Sequence, residues 1–326
     1  MSFFKTILFL IVLSFANQSI SQVCTQDDRF TNAQYFAKTQ IDSVMNVTYA
    51  TASNYKGESQ DLQMDIYFPN KDKDPMAERP FILLIHGGGF RGGRRDGSIK
   101  KFCDLFAQRG FVVATMSYRL GFKEDNPAGR PMAVYRAQQD ANAALRYMVA
   151  NKDQYKVNAN WIFIGGSSAG AITSLFTAYG QQEEWNQAMP QAETLMGSIQ
   201  NSGNDLQESF TIRGIFNHMG AAHQLVFMNE QNFVPMVSFH GELDNTVPID
   251  ENPMSGLGSR AMHKRLDQAG VCNDFTMVPG GGHDIYYSQE GFEFRADRVS
   301  CFFKSLMCES CTSYTAAETV ASSCAE

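Results

Sequence analysis

The chain has 326 residues, 44% of them hydrophobic and 19% charged, and a formal net charge of −7. This length and hydrophobic content suffice to bury a large core in a single domain, and no repeat or low-complexity linker divides the chain. The acidic balance argues against nucleic acid as a partner, because surfaces that bind phosphates are basic.

The first residues carry the pattern of an export signal. Lys5 precedes an apolar run at residues 7–13, and the small side chain of Ser21 suits cleavage before Gln22. The apolar run is too short to span a membrane. We therefore predict a signal peptide at residues 1–21 and a secreted or periplasmic protein without stable membrane association.

Alternating strand and helix patterns follow this signal. Strands are expected near residues 44–49 and 62–68, and continuously apolar strands then alternate with helical segments. Residues 131–150 have the clearest helical spacing, with a proline in the first turn. Continuously apolar strands are typical of a parallel sheet that is covered on both faces. The predicted fold class is therefore α/β, with a mostly parallel central sheet between helices.

A glycine-rich loop follows the apolar strand at residues 81–85 and reads His86-Gly87-Gly88-Gly89-Phe90. Such a loop turns bare N–H groups toward one point, which a site that stabilises an oxyanion requires. We predict Gly88 and Gly89 as oxyanion-hole donors and Phe90 as a substrate-binding side chain. Phosphate binding is the alternative, but neither the P-loop nor the dinucleotide-binding glycine pattern fits.

The apolar run at residues 161–164 leads into Gly166-Ser167-Ser168-Ala169-Gly170, which opens a helical segment. A sharp strand-to-helix turn presents a serine to a base, and small flanking residues let neighbouring backbone come close. Ser168 is therefore the candidate nucleophile, and the N–H of Ala169 is the third oxyanion donor. In the alternative register Ser167 is the nucleophile, but the second flanking glycine is then lost.

Residues 181–211 interrupt the alternation with a polar composition and scattered large apolar side chains. We predict that this segment is a small cap over the active site, in which Trp185, Met189 and Phe210 contact the substrate. A plain surface insertion is the alternative.

Two later loops supply an acid and a base. The apolar run at residues 234–240 leads to Glu242-Leu243-Asp244, and the run at 275–278 leads to Pro279-Gly280-Gly281-Gly282-His283. We predict Asp244 as the acid and His283 as the base, because only His283 follows the last core strand on a glycine-rich loop. Glu242 is the rival acid. Four other histidines are expected to be structural or solvated: His218, His223, His240 and His263. His86 is expected to shape the glycine-rich loop rather than to transfer protons.

The chain order Ser168, Asp244, His283 is that of the α/β-hydrolases. Together with the His-Gly-Gly-Gly loop, it makes residues 60–307 resemble an α/β-hydrolase of the esterase/lipase type. The run Met116-Ser117-Tyr118-Arg119-Leu120 and the helical Asp140 also resemble the carboxylesterase and feruloyl or acetylxylan esterase branches. The chain departs from many relatives at Ser167, where they carry a different residue.

This resemblance implies a secreted serine hydrolase that cleaves small carboxylic esters and needs neither a cofactor nor a metal. Short-chain or compact aryl esters are expected, with feruloyl or acetyl-sugar esters as a narrower expectation. The same residues could serve an amidase or a serine peptidase, which is the alternative enzymatic function. A non-catalytic binding protein of this fold is the alternative that is not an enzyme. The catalytic domain is predicted at residues 22–307, followed by a cysteine-containing tail at 308–326.

Seven cysteines in an exported chain predict disulfides and one unpaired thiol. Cys103 lies in a helical segment and is expected to be unpaired and buried. Cys272 precedes the last strand, and we expect it to bridge to Cys301 or Cys308 in the region of the final helix, because that strand and helix run in opposite directions. Zinc is the alternative partner of Cys301, Cys308, Cys311 and Cys324, although the export signal disfavours it.

Overall fold

The computed structural model describes residues 23–222, 228, 232–253 and 256–317. The predicted signal peptide at residues 1–21 therefore lies outside the described residues, as do His223, Cys324 and the last nine residues of the predicted tail. No helix in the described part of the chain combines the length and the hydrophobicity that crossing a bilayer requires.

The chain begins with antiparallel strands and then alternates between strands and helices. The first half contains, in order, β1 (Ile41–Ser53), β2 (Ser59–Pro69), β3 (Arg79–Ile85), α1 (Lys100–Gln108), β4 (Val112–Met116), α2 (Gly129–Ala150), α3 (Lys152–Tyr155), β5 (Val157–Ser167) and α4 (Ala169–Tyr179). The second half contains α5 (Gln182–Ala188), α6 (Ala192–Met196), β6 (Ile212–His218), β7 (Met236–Gly241), β8 (Glu251–Asn252), β9 (Gly256–Leu257), α7 (Ser259–Gln268), β10 (Asn273–Val278), α8 (Gln289–Met307) and β11 (Tyr314–Ala317).

Nine of these strands form one sheet in the order β1-β2-β4-β3-β5-β6-β7-β10-β11. Strand β2 runs antiparallel to both of its neighbours, and every other pair in the sheet is parallel. β8 and β9 form a separate two-stranded ribbon. The mostly parallel sheet that the sequence predicts is therefore confirmed. In such a sheet the loops after the parallel strands converge on one edge, which is where α/β proteins place their sites.

Helices cover both faces of the sheet because its central strands are apolar on both sides. Along β3, Phe81, Leu83 and Ile85 belong to one core cluster, which includes residues of α2 and α4. Ile82 and Leu84 belong to a second cluster, which includes residues of α1 and α8. Successive side chains of a strand point to opposite faces of the sheet. Alternate residues of β3 therefore pack against the helix layers on the two faces. All five side chains are fully buried, and each burial stabilises the fold by about 1.5–3 kcal/mol.

Most predicted elements correspond to observed ones, but the sequence missed β6. Its sequence, Ile212-Arg-Gly-Ile-Phe-Asn-His218, mixes apolar and polar residues and has no clear period. Asn217 and His218 are nevertheless fully buried, because their side chains find polar partners inside the fold. The local pattern is therefore a poor guide here, since tertiary hydrogen bonds make the polar residues compatible with a central strand.

Residues 181–211 lead from the end of α4 to the start of β6. Because α4 runs back from the carboxyl edge of the sheet, this segment both begins and ends at the opposite, amino edge. Trp185 packs between Tyr135 of α2 and Phe176 of α4, with ring centroids 5.2 Å from each. Farther along, the Asn204 side chain donates to the backbone carbonyl of Ala143 in α2. Gln139 in the first half of α2 donates to the Met196 carbonyl, and Arg136 of α2 donates to the Gly121 carbonyl. These contacts pack the segment on the helix layer of α2 and α4, and its role as a cap stays a prediction.

Two disulfides tie the C-terminal region to the rest of the domain. Cys24 pairs with Cys308, and Cys272 pairs with Cys311. Cys272 is thus linked to the region of the final helix, but not to either of the two partners that we expected. The reason is the short parallel strand β11, which pairs with β10 in the register Asp274↔Tyr314 and brings Cys311 beside Cys272.

The remaining described cysteines agree with an oxidised domain. Cys103 is a free, fully buried thiol, as predicted. Cys301 is also disulfide-bonded. Disulfides of this kind are typical of proteins in oxidising compartments.

Candidate active site

Ser168 occupies the turn between β5 and α4, at the carboxyl edge of the sheet. Its backbone has φ 54° and ψ −120°, a conformation that a residue with a side chain seldom adopts. Its amide donates to the His218 carbonyl at 2.8 Å, and its carbonyl accepts from the Ile172 amide at 2.9 Å. These two bonds hold the serine in its strained conformation, which is the geometry of a nucleophile elbow.

The two glycines that flank the turn are required by the close approach of β3. A Cβ atom on Gly166 would lie 2.4 Å from the Ile85 carbonyl oxygen, and one on Gly170 would lie 2.0 Å from the same atom. Neither position has room for a side chain. The spacing of these glycines therefore singles out Ser168, rather than Ser167, as the residue at the apex of the turn.

Ser168, His283 and Asp244 meet at the carboxyl edge of the sheet, although they follow three different strands. His283 Nε2 lies 2.8 Å from Ser168 Oγ, and His283 Nδ1 lies 2.5 Å from Asp244 Oδ2. The Nδ1–H donates to the carboxylate, which leaves Nε2 free to accept the serine hydroxyl. The three side chains thus form a continuous hydrogen-bonded chain from carboxylate to hydroxyl.

Asp244 is held by donors on both of its oxygens. The amides of Thr246 and Val247 each donate to Oδ1 at 2.9 Å, while the imidazoles of His283 and His240 approach Oδ2. Burial on its own would raise the pKa of Asp244. The hydrogen bonds from the two histidines and from Val247 outweigh burial and hold this pKa well below its ordinary value. The carboxylate is therefore ionised at neutral pH and can orient a protonated imidazole.

His240 is a site residue that the sequence reasoning assigned a structural or solvated role. It is fully buried at the end of β7, with Nε2 3.2 Å from Asp244 Oδ2 and 2.8 Å from the Val247 carbonyl oxygen. Its Nδ1 lies 2.7 Å from Ser259 Oγ, which fixes the ring from the other side. The only signal in the sequence was its position four residues before Asp244.

The glycine loop after β3 packs directly against the serine turn. A Cβ on Gly87 would lie 3.3 Å from the Cβ of Ser168. Gly88 and Gly89 have φ angles of 122° and 63°, which favour glycine. Within the described residues, no hydrogen bond is formed by the amides of Gly88, Gly89 or Ala169. These three N–H groups therefore have no partner among the described residues.

Aromatic packing supports this loop from behind. The His86 ring stacks on Tyr118 with centroids 4.5 Å apart, and the Tyr118 hydroxyl donates to the His86 carbonyl at 3.0 Å. Phe90 is only 3% exposed and contacts Tyr118 edge-on, so its side chain supports the loop and is not open to a substrate. The neighbouring Arg119 forms a buried ion pair with Asp140 at 2.7 Å, which anchors the segment to α2.

The other predicted site residues lie elsewhere. Glu242 accepts a hydrogen bond from the Gly280 amide at 3.1 Å and contacts no histidine among the described residues. Trp185 and Met189 pack into the core cluster of α2 and α4. Phe210 precedes Ile212, which pairs with Ile162. Ser168 lies six residues beyond Ile162 along the direction of β5, a distance of about 20 Å.

No group of three or more His, Cys, Asp or Glu side chains arranged to hold a metal ion occurs in the described ranges. Cys308 and Cys311, two of the four cysteines considered as zinc ligands, are each engaged in a disulfide.

Several curated proteins of similar sequence are esterases or hydrolases. Gut esterase 1 from Caenorhabditis elegans is 34% identical over 127 residues, which cover 38% of this chain and 22% of the esterase. Ethyl acetate hydrolase from Pseudomonas putida is 24% identical over 242 residues, 69% of this chain and 71% of the hydrolase. The chain spans only 2% and 22% of the lengths of the first curated relatives that it matches.

Solved structures and a family profile extend the comparison. A truncated form of a carbohydrate esterase from gut microbiota has a TM-score of 0.58 and 21% identity to this chain, with 84% of this chain and 99% of that one covered. At this identity the likeness concerns the fold alone. The BD-FAE family profile matches residues 64–233, just over half of the 326 residues. The chain therefore belongs to the BD-FAE family and has the α/β-hydrolase fold of the esterase type.

Proposed function

We propose that the protein is a serine carboxylic-ester hydrolase in which Ser168 is the nucleophile, His283 the general base and Asp244 the orienting acid. The observation that carries this proposal is the chain of two hydrogen bonds, 2.8 Å and 2.5 Å long, that joins the three side chains at a strained turn. A serine hydroxyl needs an adjacent base in order to attack a carbonyl, and the base needs a partner that fixes its tautomer.

In the proposed mechanism, Ser168 attacks the acyl carbon while His283 Nε2 takes the hydroxyl proton. Asp244 stabilises the imidazolium, and the amides of Gly88, Gly89 and Ala169 hold the oxyanion. His283 then passes the proton to the leaving alcohol. A water molecule activated by the same imidazole attacks the acyl-serine and releases the acid.

Short acyl esters are the proposed substrates, and a secreted or periplasmic location is proposed with them. The first proposal is supported by the similarity to an ethyl acetate hydrolase, and the second by the disulfides and the N-terminal sequence pattern. Feruloyl or acetyl-sugar esters remain a narrower proposal. Initial rates with nitrophenyl esters of increasing acyl length test this choice: we expect a maximum at acetyl to butyryl, and a maximum at dodecanoyl would contradict it.

The decisive experiment compares two adjacent serines. Ser168→Ala should lower kcat with nitrophenyl acetate by about 10⁴-fold or more and abolish labelling by a fluorophosphonate probe. Ser167→Ala serves as the matched control and should retain labelling. An equal loss in both variants, or a labelled Ser168→Ala protein, would refute the assignment. Parallel assays with a nitrophenyl ester and the matching anilide separate an esterase from an amidase or peptidase.

A further inference from the structure

A polar network that the proposed mechanism does not use lies immediately behind Ser168. Ser167 Oγ is 2.6 Å from His218 Nδ1 and 2.9 Å from the hydroxyl oxygen of Tyr287. Arg295 NH1 approaches the same His218 nitrogen at 2.7 Å. His218 and Arg295 are fully buried, whereas Tyr287 is 42% exposed. The network therefore runs from the protein interior to a half-exposed tyrosine, and Ser167 is one residue along the chain from the proposed nucleophile.

The direction of each hydrogen bond in this network follows from the charge of Arg295. Burial lowers the pKa of Arg295 to about 9, so its guanidinium is still charged at neutral pH and can only donate. His218 Nδ1 must then be unprotonated, in agreement with a pKa of His218 that burial and Arg295 lower well below its ordinary value. The Ser167 hydroxyl, 2.6 Å away, donates to the same nitrogen.

This arrangement fixes the orientation of Tyr287. Since the Ser167 proton points at His218, the lone pairs of Ser167 Oγ accept the proton of the Tyr287 phenol. The ring is held by packing against Arg295, whose Cζ lies 5.6 Å from the ring centroid, and against His218 at 5.5 Å. The phenolic oxygen therefore keeps its lone pairs, and not its proton, for a partner outside the network.

The position of the network identifies the part of the substrate that it faces. In the sheet order, β3 with the oxyanion loop lies on one side of β5, while β6, which ends at His218, lies on the other side, toward the strands that carry Asp244 and His283. His283 must deliver a proton to the leaving alcohol, so the alcohol part of an ester lies on that side of Ser168. Tyr287 follows His283 by four residues in the same loop.

We infer that Tyr287 is a specificity residue whose phenolic oxygen accepts a hydrogen bond from a hydroxyl group on the alcohol part of the ester, next to the scissile bond. Ser167 acts as its positioning residue. This inference rests on the proposed function, because it concerns the leaving group of that reaction.

Two acetate esters of nearly equal shape test the inference. In 2-hydroxyethyl acetate a hydroxyl replaces the terminal methyl of propyl acetate, and acid release from both can be followed by titration at constant pH. The wild-type protein should prefer the hydroxylated ester by about ten-fold in kcat/KM, the effect of one substrate hydrogen bond. Tyr287→Phe should reduce this ratio to about one, and Ser167→Ala should reduce it as well, because the phenol then loses its acceptor.

Tyr314→Phe is the matched control, since Tyr314 is an exposed tyrosine of β11, remote from the described network, and this variant should keep the wild-type ratio. An active wild-type protein without the preference, or a Tyr287→Phe protein that retains it, would overturn the inference and leave the proposed function standing. Failure of the wild-type protein to hydrolyse either ester, or any nitrophenyl ester, would overturn both.

Discussion

Replacing Asp244 by Asn tests the proposed acid most sharply, because the structure leaves the new amide no good orientation. The carboxylate accepts the Thr246 and Val247 amides on Oδ1 and the His283 Nδ1–H on Oδ2. An asparagine offers one acceptor and one donor in the same space. One of these two groups of partners must therefore lose its hydrogen bonds.

The free-energy costs of the two amide orientations decide which partners lose their hydrogen bonds. Turning the new NH₂ toward the amides of Thr246 and Val247 leaves two buried donors unpaired, at a cost of about 1–3 kcal/mol each. Turning it toward His283 avoids that cost but forces the imidazole into the other tautomer, with Nε2–H facing Ser168. The second orientation is the more stable one, and in it the base cannot accept the serine proton. We expect kcat to fall by about 10⁴-fold, equivalent to about 5 kcal/mol of transition-state stabilisation.

The assay measures kcat and KM with nitrophenyl acetate, together with the midpoint of thermal unfolding. Asp244→Asn should lose activity while its Tm stays close to that of the wild-type protein. Glu242→Gln is the control at the rival carboxylate, which is exposed and bonded to a backbone amide, and should remain within two-fold of wild type. Less than a ten-fold loss for Asp244→Asn, or a larger loss for Glu242→Gln, would refute the reasoning.

Three further predictions concern the surroundings of the site. Gly170→Ala places a methyl 2.0 Å from the Ile85 carbonyl oxygen. The free energy of unfolding, measured with denaturant, should therefore fall by about 1–3 kcal/mol, and activity should be lost as well. Wild-type stability and activity in this variant would contradict the close approach. His240→Leu removes a donor to Asp244 and should lower kcat about ten-fold with little change in KM, whereas an unchanged kcat would exclude a positioning role for His240. Burial lowers the pKa of His263 to about 4, so below pH 6.5 the unfolded chain binds a proton that the folded chain excludes. The free energy of unfolding should therefore fall as the pH falls from about 6.5 to about 4, by up to about 3 kcal/mol from this residue. His263→Asn should flatten this dependence, and an equally steep profile in the variant would contradict the assignment.

The part of the fold that the sequence could predict is the part written in local patterns. Continuously apolar runs such as residues 81–85 mark strands that are buried on both faces, and the order of strand and helix then requires a mostly parallel sheet. The turn at Ser168 could also be predicted from its flanking glycines, because a strand-to-helix turn that lies against a neighbouring backbone has no room for side chains. Asp244 and His283 could be proposed since each follows a core strand in a loop at the same edge of the sheet.

The remaining features depend on contacts between segments that are distant in the sequence. Strand β6 is polar in part, and only the partners of Asn217 and His218 make it a central strand. Which cysteine reaches Cys272 was decided by the pairing of β11 with β10, a register that no local pattern encodes. The place of residues 181–211 likewise depends on tertiary contacts, such as those of Trp185 with Tyr135 of α2 and Phe176 of α4.

The contacts that support the proposed catalytic residues likewise depend on the tertiary structure. Nothing in the local sequence distinguishes His218 from other buried histidines, and His240 is marked only by its position four residues before Asp244, yet one reaches Ser167 and the other Asp244. A residue type at the end of a strand determines what chemistry is available at the edge of the sheet. Which of those groups hydrogen-bond to one another is determined by strand order and register, because these set distances of a few ångströms between residues that lie more than fifty positions apart, as for Ser168 and His283.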